Sequence, residues 1–117
     1  MPASKTQNEF ASYVVDLMQS LGPVYAKRMF GGHGIFLDGL MFALIADNTL
    51  YLKADSESVS QFTASGLEAF TYYKKGKPCS LSYFQAPEDS LENQDIMISW
   101  ASQAYAAALR SSPGKPG

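Results

Sequence analysis

Apolar and polar positions change period along this chain. Phe10, Val14, Leu17 and Leu21 recur at helical spacing, and Tyr13 and Met18 widen the stripe. Thr6-Gln7-Asn8-Glu9 has the form of a capping box, a Thr N-cap with Glu three residues later. Gly22 and Pro23 stop the far end, with Gly22 as a left-handed C′ residue. A helix is predicted over about Gln7–Leu21, with Met1–Lys5 as a frayed end. From Lys27 to Lys53 the pattern becomes one of short apolar runs: Gly34–Leu37, Leu40–Ala46 and Thr49–Lys53. Asp38-Gly39 and Asp47-Asn48 separate them, and both pairs suit turns that need positive φ. These runs predict an antiparallel meander, the scaffold for the rest of the chain. Leu50 and Leu52 alternate with Tyr51 and Lys53, which gives that strand one buried and one wetter face. Leu40–Ala46 is apolar at both parities, as expected of a central strand covered on both sides.

The flanking segments are less periodic. Val24–Phe30 has the β-branched and aromatic content of a first strand that breaks at Gly31-Gly32. Asp55 or Ser56 caps a short helix, about Glu57–Ser65, that Gly66 ends. Phe70–Lys74 and Cys79–Gln85 are two further strands joined through Lys75-Gly76-Lys77-Pro78, and Pro78 fits only a strand start or an edge. Pro87, Glu88 and Asp89 suit the first turn of a helix, and Asn93 interrupts or recaps it. Met97, Ala101, Ala104 and Ala108 stripe a terminal helix over Gln94–Arg110, with Ile96, Trp100 and Ala107 beside them. Ser111–Gly117 reads as a disordered tail. The order is one helix, four strands, a helix, two strands and a helix. That order predicts an α+β fold: one domain over residues 1–110, with a mostly antiparallel sheet of five or six strands flanked by helices.

Composition narrows the function classes. The chain has 117 residues, 46% of them hydrophobic and 13% aromatic, enough for a core without a disulfide or metal staple. Its net charge of −2 gives no overall basic excess for holding nucleic acid, although a local patch is compatible with it. Met1–Phe10 shows no secretory h-region, and no apolar run approaches the roughly 20 residues of a membrane span. A single cysteine, Cys79, fits a reducing cytoplasm.

Candidate chemistry is sparse. Gly31-Gly32-His33-Gly34 could cradle a phosphate, but it lacks the Gly-Lys-Ser/Thr of a P-loop and precedes a strand, so a tight turn or bulge is the stronger reading. His33 is the only histidine and has no partners at metal-ligand spacing, and a structural role is expected of it. Cys79 with His33 as base lacks any local support as a nucleophilic pair. Glu88, Asp89, Glu92 and Asp95 fit helix-dipole complementation better than acid–base catalysis. Lys27, Arg28, Lys53, Lys74, Lys75 and Lys77, with Tyr51, Tyr72 and Tyr73, could form a basic and aromatic surface for nucleic acid. The competing reading is a solvated hairpin tip with cationic edge protection.

Several segments in order carry a resemblance: Arg28-Met29-Phe30-Gly31-Gly32, Gly34-Ile35-Phe36, Asp38-Gly39-Leu40-Met41-Phe42-Ala43-Leu44 and Thr49-Leu50-Tyr51-Leu52-Lys53. Phe70-Thr71-Tyr72, Lys75-Gly76-Lys77-Pro78, Leu81-Ser82-Tyr83-Phe84 and Trp100-Ala101 continue it. Over about Phe10–Leu109 the chain resembles the amino-terminal domain of the TfoX/Sxy family of natural-competence (DNA transformation) regulators. His33 stands where that family often has an aromatic residue. The resemblance implies a secretion-chaperone-like fold, frequent homodimers, no catalytic residues and no cofactor. It also implies that a second, helical domain of longer members has no room in this chain. The function expected is a non-enzymatic regulatory or adaptor domain that binds an unidentified protein, with a nucleic-acid module as the alternative. The interaction surface expected comprises Arg28, Phe30, Gly31, Gly32, Lys53, Tyr72, Lys74, Lys75 and Lys77.

Overall fold

Two-residue turns set the architecture. The structure is a computed structural model that describes residues 2–29 and 31–111, with side chains described outside 2–7, 72–74 and 78–81. Asp38 and Gly39 both hold positive φ, at 53° and 77°, and so do Asp47 and Asn48, at 56° and 57°. Two successive left-handed residues make the type I′ turn, whose twist matches the strands it joins. Strands β1 (Tyr25–Met29), β2 (Gly32–Leu37), β3 (Leu40–Ala46) and β4 (Thr49–Lys53) therefore fold back on one another as the expected meander. A third such turn, Lys75-Gly76 at 53° and 80°, joins β5 (Ala69–Lys74) to β6 (Lys77–Gln85). β6 docks on β4 through three residue pairs, Tyr51 with Gln85, Leu52 with Phe84 and Lys53 with Tyr83. The six-stranded antiparallel sheet thus runs β1-β2-β3-β4-β6-β5. Pro78 lies near the start of β6, in the stretch that β4 does not reach, as a proline in a strand requires.

The helices differ from expectation mainly at their ends. Helix α1 spans Pro2–Leu17. It begins more than a turn before Gln7, so Thr6 lies inside the helix and does not cap it; proline is favoured in a first turn, where its missing N–H had no partner to lose. It stops at Leu17 because the chain tightens into a 3₁₀ turn over Gln19–Leu21, closed by Gly22 at φ 152°. Helix α2 is short, Val59–Ala64. The Asp55 carboxylate accepts the Glu57 and Ser58 N–H groups ahead of it. Beyond α2 the Leu67 and Gly66 N–H groups return to the Phe62 and Thr63 carbonyls, a Schellman closure with Gly66 at φ 75°. Pro87 leads into a 3₁₀ turn, Glu88–Leu91, in place of an α-helix. Asn93 then recaps: its side-chain oxygen accepts the Ile96 N–H at 3.1 Å and starts α3 (Gln94–Ser111).

All three helices cover the same face of the sheet. Ala11 and Val14 of α1, Met18 just beyond it, Phe62 of α2, and Met97, Ala101, Ala104 and Ala108 of α3 share one core cluster with Ile35, Leu37, Phe42, Ala43, Ile45, Leu50 and Leu52. The alanine stripe lets α3 approach β3 and β4 closely. A bulge puts Phe42 on the same side: Ile35 pairs with Ala43 but Phe36 with Met41, so Phe42 is the extra residue, and its ring meets Tyr105 edge-on. Phe62 stacks on Phe84 and meets Trp100, which pins α2 beneath α3. Helices therefore cover β3 on one side only. Leu44 points the other way yet is 1% exposed, because its neighbours across the strands are Gly34 and Tyr51, whose surroundings close over it.

Candidate interaction surface

The face of the sheet without helices carries a distinct chemistry. Alternation places Tyr25, Lys27 and Met29 of β1, Phe36 of β2, Met41 and Leu44 of β3, Tyr51 and Lys53 of β4 and Tyr83 of β6 on it. Tyr25 stacks on Phe36 with ring centroids 5.5 Å apart. Tyr51 meets Phe70 edge-on at 4.9 Å. Lys27 sits 6.0 Å over the Phe36 ring and Lys53 5.3 Å over Tyr83, both within cation–π reach. Burial pushes the Tyr83 phenol up to about 12, so Lys53 lies over a neutral ring throughout the physiological range. Burial also raises Tyr51, helped by the nearby charges of Asp47 and Glu68. Tyr25 remains 45% exposed. Among the described side chains the face is therefore aromatic and thioether-rich, with Lys27 and Lys53 each set over a ring.

The glycine motif is packing, not a phosphate cradle. Gly31 holds φ 79° at the β1–β2 turn, but Gly32 opens β2 instead of breaking a strand. A Cβ on Gly32 would lie 2.1 Å from the Ile45 carbonyl oxygen, so only glycine lets β3 approach there. At Gly34 a Cβ would meet the Met29 and Met41 sulfurs at 2.7 and 2.8 Å and the Phe36 ring at 2.9 Å. Two thioethers and a ring edge fill the space the missing side chain leaves.

On the other face, a groove of about 450 Å³ runs between α1 and β1. Asn8, Ala11, Ser12, Val15 and Asp16 form its helical wall; Val24, Tyr25, Ala26 and Arg28 form its strand wall; His33 lies at its base. His33 is 5% exposed, and its Nε2 lies 3.1 Å from the Asn8 side-chain oxygen, so Nε2 donates. Its Nδ1 is buried without a hydrogen-bond partner. Burial, and then the Arg28 charge across the strand pair, hold the imidazole below its ordinary pKa, which makes it a neutral structural group.

The expected surface residues do not converge. Arg28 stands at the β1 edge, on the helix side beside the groove. Lys53 lies on the open face, and Gly32 is buried within the sheet. Lys75 and Lys77 are exposed at the β5–β6 hairpin, the opposite edge from Arg28. Phe30 and the side chains of Tyr72 and Lys74 lie outside the described residues, as do residues 112–117 of the expected tail and the Cys79 side chain. Cys79 is in β6 and His33 in β2, with β3 and β4 between them. Among the described residues no three His, Cys, Asp or Glu side chains gather as metal ligands, and no helix is long and apolar enough to cross a membrane. Sequence reasoning named Lys27 and Tyr51 as members of a basic, aromatic surface but missed Tyr25, Phe36 and Met41 beside them, although alternation across paired strands was the available signal.

Comparison with known proteins identifies relatives. A family model described as the TfoX N-terminal domain matches residues 16–108. The chain is 33% identical over 73 residues to DNA transformation protein TfoX1 of Aliivibrio fischeri, covering 62% of this chain and 35% of that protein. It is 26% identical over 95 residues to protein Sxy of Escherichia coli, covering 81% of this chain and 46% of that protein. With DNA transformation protein TfoX of Haemophilus influenzae it shares 34% identity over 76 residues, 64% of this chain and 35% of that one. The matched region spans less than half the length of each of these relatives.

Proposed function

The chain belongs to the TfoX N-terminal domain family, and on that premise we propose that it is a non-enzymatic regulatory adaptor acting through protein–protein contact. Two relatives' names supply the setting, DNA transformation, and regulation of transcription is the level of action we propose within it. A cytoplasmic site suits its single cysteine. The observation that carries the reading is the open sheet face, where Tyr25, Met29, Phe36 and Met41 form a half-covered apolar patch with Lys27 over the Phe36 ring. Such patches on small domains mark interfaces. The occupant proposed is a second copy of the chain, because Tyr and Met offer adaptable contact area and Lys27 and Lys53 lie over rings of the same face.

Light scattering after size exclusion, at low and high salt, tests this. A dimer that persists in high salt and dissociates in Tyr25→Lys supports the reading. A monomer at both salts refutes the pairing. A second reading, single-stranded nucleic acid stacked on the same face, is favoured by the two lysine–aromatic contacts and opposed by the net charge of −2. Failure to bind a single-stranded oligonucleotide at low salt eliminates it.

A further inference from the structure

We propose that the free edge of β1, together with the groove beside α1, is a docking site for an extended peptide segment of another protein, added antiparallel as a seventh strand. The proposal rests on the reading of the domain as a protein-binding adaptor, but it uses a different surface from the open face.

β1 and β5 are the two edges of the sheet. An edge strand has a neighbour on one side only, so alternate residues of β1 point their N–H and C=O groups outward, a template for another strand. What distinguishes β1 is the groove along that edge. Its walls carry small apolar side chains between the charged ends, Ala11 and Val15 on the helix and Val24 and Ala26 on the strand side. Its two ends carry opposite charge. Arg28 stands beside His33 and Asn8 at one end, and Asp16 stands two turns further along α1, about 12 Å away at the helical rise. From Arg28 back to Tyr25 the strand spans about 10 Å, and Val24, whose N–H donates to the Gly22 carbonyl and whose carbonyl accepts from Gln19, closes that end one residue further on beside Asp16. Arg28 and Asp16 have no ion-pair partner within 4 Å among the described residues.

The charge pattern selects the occupant. A second copy is disfavoured in the register that lays β1 fully on itself: antiparallel pairing centred on Lys27 would bring Lys27 and Arg28 within one position of the partner's same two cations, and like charges opposite each other destabilise a pair. The edge guards against self-association while it favours an acidic strand. The alternation of a strand then dictates the sequence. A residue facing Arg28 is acidic, the residue two on, over Ala26, is small and apolar, and the residue four on, beside Asp16, is basic. The intervening residue beside Lys27 is acidic.

The probe is therefore the acetylated, amidated peptide Thr-Glu-Glu-Val-Thr-Lys-Thr, titrated into the ¹⁵N-labelled full chain and followed by amide shifts. The charge-swapped peptide Thr-Lys-Lys-Val-Thr-Glu-Thr is the control. Saturable shifts confined to Val24–Arg28 and to Ala11–Asp16 are expected. Arg28→Glu should weaken the acidic peptide about tenfold, the effect of truncating a contacting charge, and Arg28→Glu with Asp16→Lys should prefer the swapped peptide. Both positions are exposed, so the variants keep the fold. Equal affinity for the two peptides, shifts centred on Met41, Leu44 and Tyr51 of the open face in place of β1 and α1, or no saturable shift overturns the proposal, as does a single-stranded oligonucleotide that displaces the peptide from these amides. A null titration beside an intact dimer, or beside a native partner captured through another surface, defeats the edge site and leaves the adaptor reading standing. A null titration together with a monomer that captures no partner defeats both.

Discussion

Arg110 near the end of α3 holds Asp55, 55 residues earlier, in a forked pair: Nε donates to Oδ2 at 2.6 Å and Nη2 to Oδ1 at 3.0 Å. The same carboxylate caps the approach to α2, and Glu57 adds a second acceptor 3.2 Å from Nε. One aspartate thus ties the terminal helix to the only helix between the two halves of the sheet.

The pair sets an acid response. The bond from Arg110, with the Glu57 and Ser58 N–H groups behind it, holds the Asp55 carboxyl down to about 2, against an ordinary value of 3.8. A depressed carboxyl stabilises the fold above the unfolded value and loses that contribution as pH falls from about 4 to about 2. Arg110→Gln should be less stable than the native chain in urea at pH 6, with the difference closing across that window. Asp55→Ala should cost about 1 kcal/mol at pH 6 through the lost cap.

His33 also weakens the fold as pH falls, but in a higher window and through burial, not pairing. Its pKa is lowered in the fold, so below its ordinary 6.5 the unfolded chain takes up a proton that the folded chain refuses. Stability should fall from pH 7 towards pH 5, and His33→Gln should flatten that slope whatever its effect at pH 8. An unchanged slope would refute the buried neutral imidazole.

Gly32 and Gly34 separate rigid from yielding neighbours. Gly32→Ala drives a Cβ onto the Ile45 carbonyl and should cost about 3 kcal/mol or more, at the upper end for overpacking. Gly34→Ala presses on two methionine sulfurs that can swing aside, and should cost about 1 kcal/mol. Thermal unfolding of the two variants checks the ranking.

Lys75 is the turn residue least suited to its place. It holds φ 53° without the side-chain compensation that Asp and Asn bring to the equivalent positions Asp38, Asp47 and Asn48. Lys75→Asn should raise stability by up to about 1 kcal/mol, measured by denaturant unfolding.

These contrasts show what the sequence carries. Asp38-Gly39 and Asp47-Asn48 are legible because few residues tolerate successive left-handed conformations, and the turns delimit β3 and β4 to the residue. The faces of Leu50, Tyr51, Leu52 and Lys53 follow from a period of two. The start of β2 at Gly32 is hidden, because the carbonyl that demands glycine belongs to β3. The Thr6 capping signal misleads because a helix can begin earlier at Pro2. The candidate surface was least legible: Arg28 and Lys77 look alike in sequence, yet the strand order puts Arg28 on the β1 edge and Lys77 in β6, three strands beyond β2 and one in from the far edge. The pairing of Asn8 with His33 has no local signature either.

The three residue pairs that join β6 to β4 have a kinetic consequence. Neighbours in the β1–β4 meander are close in sequence, so its closures are cheap in chain entropy and form early. The β5–β6 hairpin can form on its own but must find β4 across the intervening α2. The sheet is thus two cooperative units sharing a narrow hinge line, and amides of the hairpin should exchange with solvent by openings that leave the meander closed. A partner that grips the β1 edge would leave the exchange of the hairpin unchanged.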